Sequence, residues 1–207
     1  MLTAGSITAE ETEETVAFNR LNPPWIAGNW GTKRWATAMN ICSRVQSGTA
    51  FPGDEGAYYT LNPGEAFAES FRVLNETLAG LPVTWPIVDN SFRPDATALQ
   101  ALRDDVFDPW TAPTTKTITV AFARGQRTWT QRIDTPLDGA LDAQVSPGSD
   151  DLQLLAPDGR TVLSQGWWTT TGGKALEYQI CGRRSFLLRV TRHSAAPRFT
   201  VRLSAPY

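Results

Sequence analysis

Histidine is nearly absent from this 207-residue chain: His193 stands alone. Its sequence offers no pair of imidazoles for a metal. A Ser-His-Asp or Cys-His arrangement would have to use a histidine at the expected end of a strand, where a surface role is the ordinary one. Cysteine is scarce too. Cys42 and Cys181 either form one long-range disulfide in an oxidising compartment or are two separate buried thiols. An excess of positive charge is missing: the formal net charge is −2 and the pI about 5.5, which leaves no basic footprint for nucleic acid. No apolar run approaches the length of a bilayer span, and Met1 to Ser6 lacks the basic and apolar regions of a secretory signal. The expectation is a soluble chain without an export address of its own. Gly125 and Gly172-Gly173 lack the lysine and helix context of a phosphate-cradling loop, and no internal repeat is evident.

What is present is ordinary globular material, 41% hydrophobic and 19% charged. The first half reads as helices and ordered loops. Thr8 and Glu11 have the spacing of a capping box for a helix from Ala9 to about Leu21, and Asn22-Pro23-Pro24 ends it. Trp25, Trp30 and Trp35 follow in a Gly-rich stretch, with a short helical pattern from Trp35 to Val45 and an irregular loop from Gly48 to Leu61. Asn62 then caps a helix whose first turn holds Pro63 and Glu65. Phe67, Phe71, Leu74 and Leu78 give it one apolar stripe, and Gly80 to Pro82 stops it. A further helix is expected from Asp95 to Phe107, with Leu99, Leu102 and Val106 inward.

Between Asp108 and Thr117 the texture changes. Prolines and threonines form a linker, and beyond it the apolar period is two. Ile118, Val120 and Phe122, then Leu141, Ala143 and Val145, Leu176, Tyr178 and Ile180, Phe186, Leu188 and Val190, and Phe199, Val201 and Leu203 read as half-buried strands. Asp138-Gly139, Asp158-Gly159 and Gly172-Gly173 supply tight turns, so seven or eight short strands are expected in an antiparallel sandwich.

Three groups are candidates for chemistry or binding. Glu65 and Glu69 stand four apart on one helix, on the face opposite Phe67 and Phe71, with Arg72 and Glu76. A solvated face laced with ion pairs has the same pattern. Trp167-Trp168, beside a Thr/Gly-rich loop, is a candidate stacking platform for carbohydrate or a partner protein, although adjacent strand residues point to opposite faces, so that one of the two is expected to be buried. Asp150-Asp151 is a candidate calcium pair or simply a solvated turn. Cys181 falls on the opposite phase from Leu176, Tyr178 and Ile180, which favours a partner on another element.

The segment Asn62-Pro63-Gly64-Glu65-Ala66-Phe67-Ala68-Glu69 resembles the third-ligand helix of gluzincin-type zinc metallopeptidases. That resemblance implies Glu65 as a zinc ligand and Glu69 as the acid that orients a ligating histidine. The family's H-E-x-x-H motif, which supplies two imidazoles and the general base, is absent here. The chain is therefore expected to be a downstream portion of such a protein, truncated and inactive in isolation, with no tight zinc binding of its own. The second half resembles the small pre-peptidase C-terminal β-sandwich modules of secreted bacterial peptidases in its Pro136-Leu137-Asp138-Gly139 turn, its Leu152 to Pro157 strand, Tyr178 to Gly182, and its closing Phe199 to Leu203 strand. Such a module would dock substrate, hold a peptidase on a surface or assist folding.

Together these readings give an α+β chain: a helical, peptidase-like region over 1–110, a linker over 111–115, and a β-sandwich over 116–207. The function expected is that of a secreted metallopeptidase-like hydrolase remnant. The alternative is a non-catalytic binding or surface-interaction protein that works through Trp167 and Trp168. Expected partners are a protein, a peptide or a surface polysaccharide, and the expected location is extracellular or at the cell surface.

Overall fold

The helical and period-two patterns occupy separate parts of the computed structural model, which describes residues 32–146, 150–170, 172–193 and 195–207. The chain divides into two compact units, Met1–Thr111 and Ala112–Tyr207. The architecture is α+β, as expected. The anticipated helix from Ala9 to Leu21, with Trp25 and Trp30, lies outside the described residues.

Among the described residues of the first unit four α-helices follow in order: α1 (Lys33–Ala38), α2 (Ile41–Gln46), α3 (Pro63–Leu78) and α4 (Ala96–Phe107). The Asn62 side-chain oxygen caps α3 by accepting the Gly64 N–H at 3.0 Å, and Pro63 takes the first position, where a missing N–H costs nothing. Asp95 caps α4 in the same way through the Ala98 N–H at 2.8 Å. The cap of α1 comes from another helix: Asp105 of α4 accepts the Trp35 N–H at 2.8 Å and the Arg34 N–H at 3.2 Å. Trp35 is fully buried and meets Phe67 of α3 edge to face, 5.2 Å between centroids.

The buried stripe of α3 differs from the one expected. Ala66, Phe67, Ser70, Val73 and Leu74 are buried, Phe71 is half-buried and Leu78 is 55% exposed. Spacings of three and four admit neighbouring stripes, and packing selects the one centred one residue earlier. On α4, Ala98, Leu102 and Asp105 form the buried line and Leu99 and Val106 flank it.

The described residues of the second unit form nine antiparallel strands: β1 (Thr114–Ala121), β2 (Thr128–Thr135), β3 (Gly139–Ser146), β4 (Asp151–Leu155), β5 (Val162–Gln165), β6 (Trp167–Trp168), β7 (Lys174–Ile180), β8 (Arg184–Thr191) and β9 (Arg198–Ala205). A five-stranded sheet has the order β1-β9-β3-β7-β6 and a four-stranded sheet the order β2-β8-β4-β5. The threonines expected to lie in a linker already form strand, since β1 starts at Thr114. Between the sheets, Leu141, Val145, Leu152, Leu154, Leu176, Leu188, Val190, Phe199 and Val201 make the core. The inward residues of each expected strand supply most of it.

Two turns show why the sequence folds as it does. Gly159 has φ +69°, and Asp158 accepts N–H bonds from Arg160 and Thr161 at 2.8 and 2.9 Å, which also hold its carboxyl below the usual range. Gly166 lies where the chain leaves β5 in one sheet and enters β6 in the other. Its N–H donates to the Leu152 carbonyl at 2.7 Å, and a Cβ there would sit 3.0 Å from Leu152. Glycine lets the crossing strand lie this close to β4 without displacing Leu152.

Candidate functional site

Glu65 and Glu69 both lie on α3, but in unlike surroundings. Glu65 is half-buried and accepts a hydrogen bond from the Tyr59 hydroxyl at 2.6 Å. Glu69 is 5% exposed, so the solvated face expected around it is corrected by the structure. Arg72 reaches Glu69 at 2.5 Å and Glu76 at 2.5 Å while donating to the Thr84 carbonyl at 2.8 Å. These bonds, Glu69's first, raise the Arg72 pKa above its ordinary value. The ion-pair ladder read from the sequence is present, but the segment carrying Thr84 lies across it. As a zinc site the donor set does not fit. One carboxylate is engaged by a guanidinium, and among the described residues no group of three or more His, Cys, Asp or Glu is arranged to hold a metal.

The other sequence candidates converge at one edge of the sandwich. Trp167 and Trp168 form β6, the edge strand of the five-stranded sheet, and pair with Ala175 and Lys174 of β7. Cross-strand partners share a face. Trp168 and Lys174 therefore stand in the row of Val145 and Val201, at the end of the inner face, whereas Trp167 stands with Ala175, Gln144 and Arg202 on the outer face. The indoles do point to opposite sides, yet neither is buried: Trp167 is 51% and Trp168 60% exposed. A two-residue strand at an edge is too short to be covered on either face.

Lys174 places its ammonium 5.1 Å from the centre of the Trp168 ring and against one oxygen of Asp151. The other Asp151 oxygen lies 2.9 Å from His193 Nε2. The Lys174 ammonium first, and His193 after it, hold the Asp151 carboxyl below its usual range. Asp150, expected to be solvated, is instead 1% exposed and accepts the His193 N–H at 2.9 Å. One strand start, one strand end and one hairpin thus bring Trp168, Lys174, Asp151 and His193 together. Lys174 was not among the sequence candidates. Its signal was available, because a Trp-Trp strand turning through Gly172-Gly173 sets Lys174 opposite Trp168.

The cysteines are both buried, Cys42 on α2 at 1% exposure and Cys181 just after β7 at 9%. Among the described residues no cysteine is a free thiol. No helix among them is long and apolar enough to cross a membrane.

No family model matches the chain, and no curated protein matches it. Solved structures are similar to part of the chain. One is the 1.0 Å crystal structure of the pre-peptidase C-terminal domain of a collagenase from Bacillus anthracis, at 15% identity over 44% of this chain and 87% of that one, with a TM-score of 0.35. Identity so low transfers no residue's role.

Proposed function

We propose that this chain is a non-catalytic binding protein of a secreted, peptidase-associated kind, and that its working surface is the β6 edge. The observation that carries this reading is the pair of adjacent tryptophans, 51% and 60% exposed, on an edge strand. Tryptophan offers large area at little cost in conformational entropy, and exposed tryptophans gain their contact energy from a partner rather than from the fold. Lys174, pinned by Asp151, stiffens the support under one of them.

In this reading the helical unit keeps the form of a peptidase helix without its chemistry. Glu65 would ligate zinc, with Glu69 behind a histidine, only if another segment supplied the imidazoles. This chain alone binds no zinc tightly. That no described cysteine is a free thiol fits an extracellular or cell-surface location.

The test is retention of the full chain on immobilised gelatin and on insoluble polysaccharides. Trp167→Ala/Trp168→Ala is expected to abolish retention while circular dichroism stays unchanged. Retention equal to that of the unaltered chain would remove the β6 edge as the working surface. Stoichiometric zinc in calorimetry, together with peptide cleavage, would overturn the non-catalytic reading.

A further inference from the structure

We infer that the β6 edge takes a neutral polysaccharide, an inference that rests on the binding reading above and names its partner. Three observations carry it. The first is the backbone of the edge. The Thr169 N–H donates to the Gly173 carbonyl at 2.9 Å, so alternation along the ladder turns only the Trp168 N–H and C=O outward. An added peptide strand would find one residue's worth of main-chain bonds, whereas strand addition depends on a row of them. Recognition here falls to side chains.

The second observation is the charge at Trp168. Lys174 and Asp151 neutralise each other in direct contact, and His193 occupies the second Asp151 oxygen. The pair itself carries no net charge, and Asp150 beside it is buried, so a neutral partner at Trp168 is favoured.

The third is the kind of hydrogen bonding on offer. An ammonium has more N–H donors, and a carboxylate more lone pairs, than these contacts use. The pair therefore sets a donor and an acceptor side by side, the Asp151 side chain 36% and the Lys174 side chain 13% exposed, next to a ring that is 60% exposed. Adjacent hydroxyls on a sugar each donate and accept, and the C–H face of the same sugar is apolar. A ring for the C–H face and a donor–acceptor pair for the hydroxyls match that chemistry on one side of the edge. Trp168 is thus the stacking residue, and Lys174 with Asp151 reads the hydroxyls. Trp167, on the other face, stands outside this set.

The experiment is native gel electrophoresis of the full chain through gels containing a soluble neutral β-glucan, mannan, xylan or galactan, with gelatin as the polypeptide arm. The expected result is retardation by at least one glycan, unchanged in about 1 M NaCl because no ion pair with the ligand is being screened. Trp168→Ala is expected to weaken binding about tenfold or more, Trp168→Phe to keep part of it, Lys174→Met to weaken it, and Trp167→Ala to change it by no more than about twofold. Trp168 is exposed, so its variants retain the fold, and their melting curves check this. Retardation by glycan that Trp168→Ala leaves intact overturns the inference. Retardation by gelatin alone, lost in Trp168→Ala, overturns the polysaccharide and leaves the binding edge standing. Retardation by neither gel overturns both.

Discussion

Replacing Asn62 by alanine isolates what the sequence places at the start of α3. The Asn62 side chain is fully buried; its oxygen accepts N–H bonds from Gly64 at 3.0 Å and Gly53 at 3.2 Å, and its amide donates to Glu55 at 3.3 Å. Alanine removes the cap, which costs about 1 kcal/mol. It also strands the Gly64 N–H in a buried place and the Gly53 N–H in a half-buried one, at roughly 1–3 kcal/mol for a fully buried group. The expected loss is about 2–4 kcal/mol. With a urea dependence of ~2 kcal/mol per molar, the midpoint falls by about 1–2 M. Far-UV circular dichroism of the helical signal reads it, since the described helices all belong to the unit that contains Asn62. Asn62→Asp keeps the acceptor and is expected to lose less, although it sets a carboxylate beside Glu55. A loss below roughly 0.5 kcal/mol for Asn62→Ala, the range of an ordinary surface substitution, would refute the account of α3 as a helix held by this cap.

Further outcomes follow from other sites. Burial is the main cause that pushes the Asp105 carboxyl up to about 7, against the opposing pull of the Trp35 and Arg34 amides and the Arg34 guanidinium. Its folded-state pKa lies above the unfolded one, so the native state holds the extra proton between about pH 4 and pH 7. Helical stability should therefore fall as pH rises through that window, by at most ~4 kcal/mol. Urea titrations at several pH values measure this, with Asp105→Asn expected to flatten the profile. Gly173→Ala would set a Cβ 2.7 Å from the Val145 carbonyl and is expected to destabilise the sandwich by about 1–3 kcal/mol and to weaken binding at β6, read by thermal melting and by gel retardation. Peptide mapping without reductant is expected to return Cys42 and Cys181 in one crosslinked pair that separates on reduction.

How far the sequence could be read depended on how local each signal was. The cap at Asn62, the start of α4 at about Asp95 and the inward residues of β3, β7, β8 and β9 rest on spacing along one element, and they stand where they were expected. Strand β2 escaped notice because Thr128-Trp129-Thr130-Gln131-Arg132-Ile133-Asp134-Thr135 is polar at most positions, with only Ile133 and Thr135 fully covered. No local pattern marks Asp105; its role as the cap of α1 depends on a contact across 70 residues. The same holds for the site. Trp167, Trp168, Asp151 and His193 were each visible, but their meeting with Lys174 depends on strand pairing that no local pattern encodes. Burial of Glu69 was equally invisible, because a helical wheel does not show what lies across the helix.

The crossing at Gly166 has a mechanical consequence. Because β5 and β6 are one run of chain shared between the sheets, the tryptophans are mounted on a seam rather than on a free flap. A tethered ligand pulling on Trp168 would load both sheets together, through β4 on one side and β7 on the other. The strand under the ring is paired with β7 at folding, so little backbone ordering remains to oppose capture. A binding edge built this way would carry tension without first having to close.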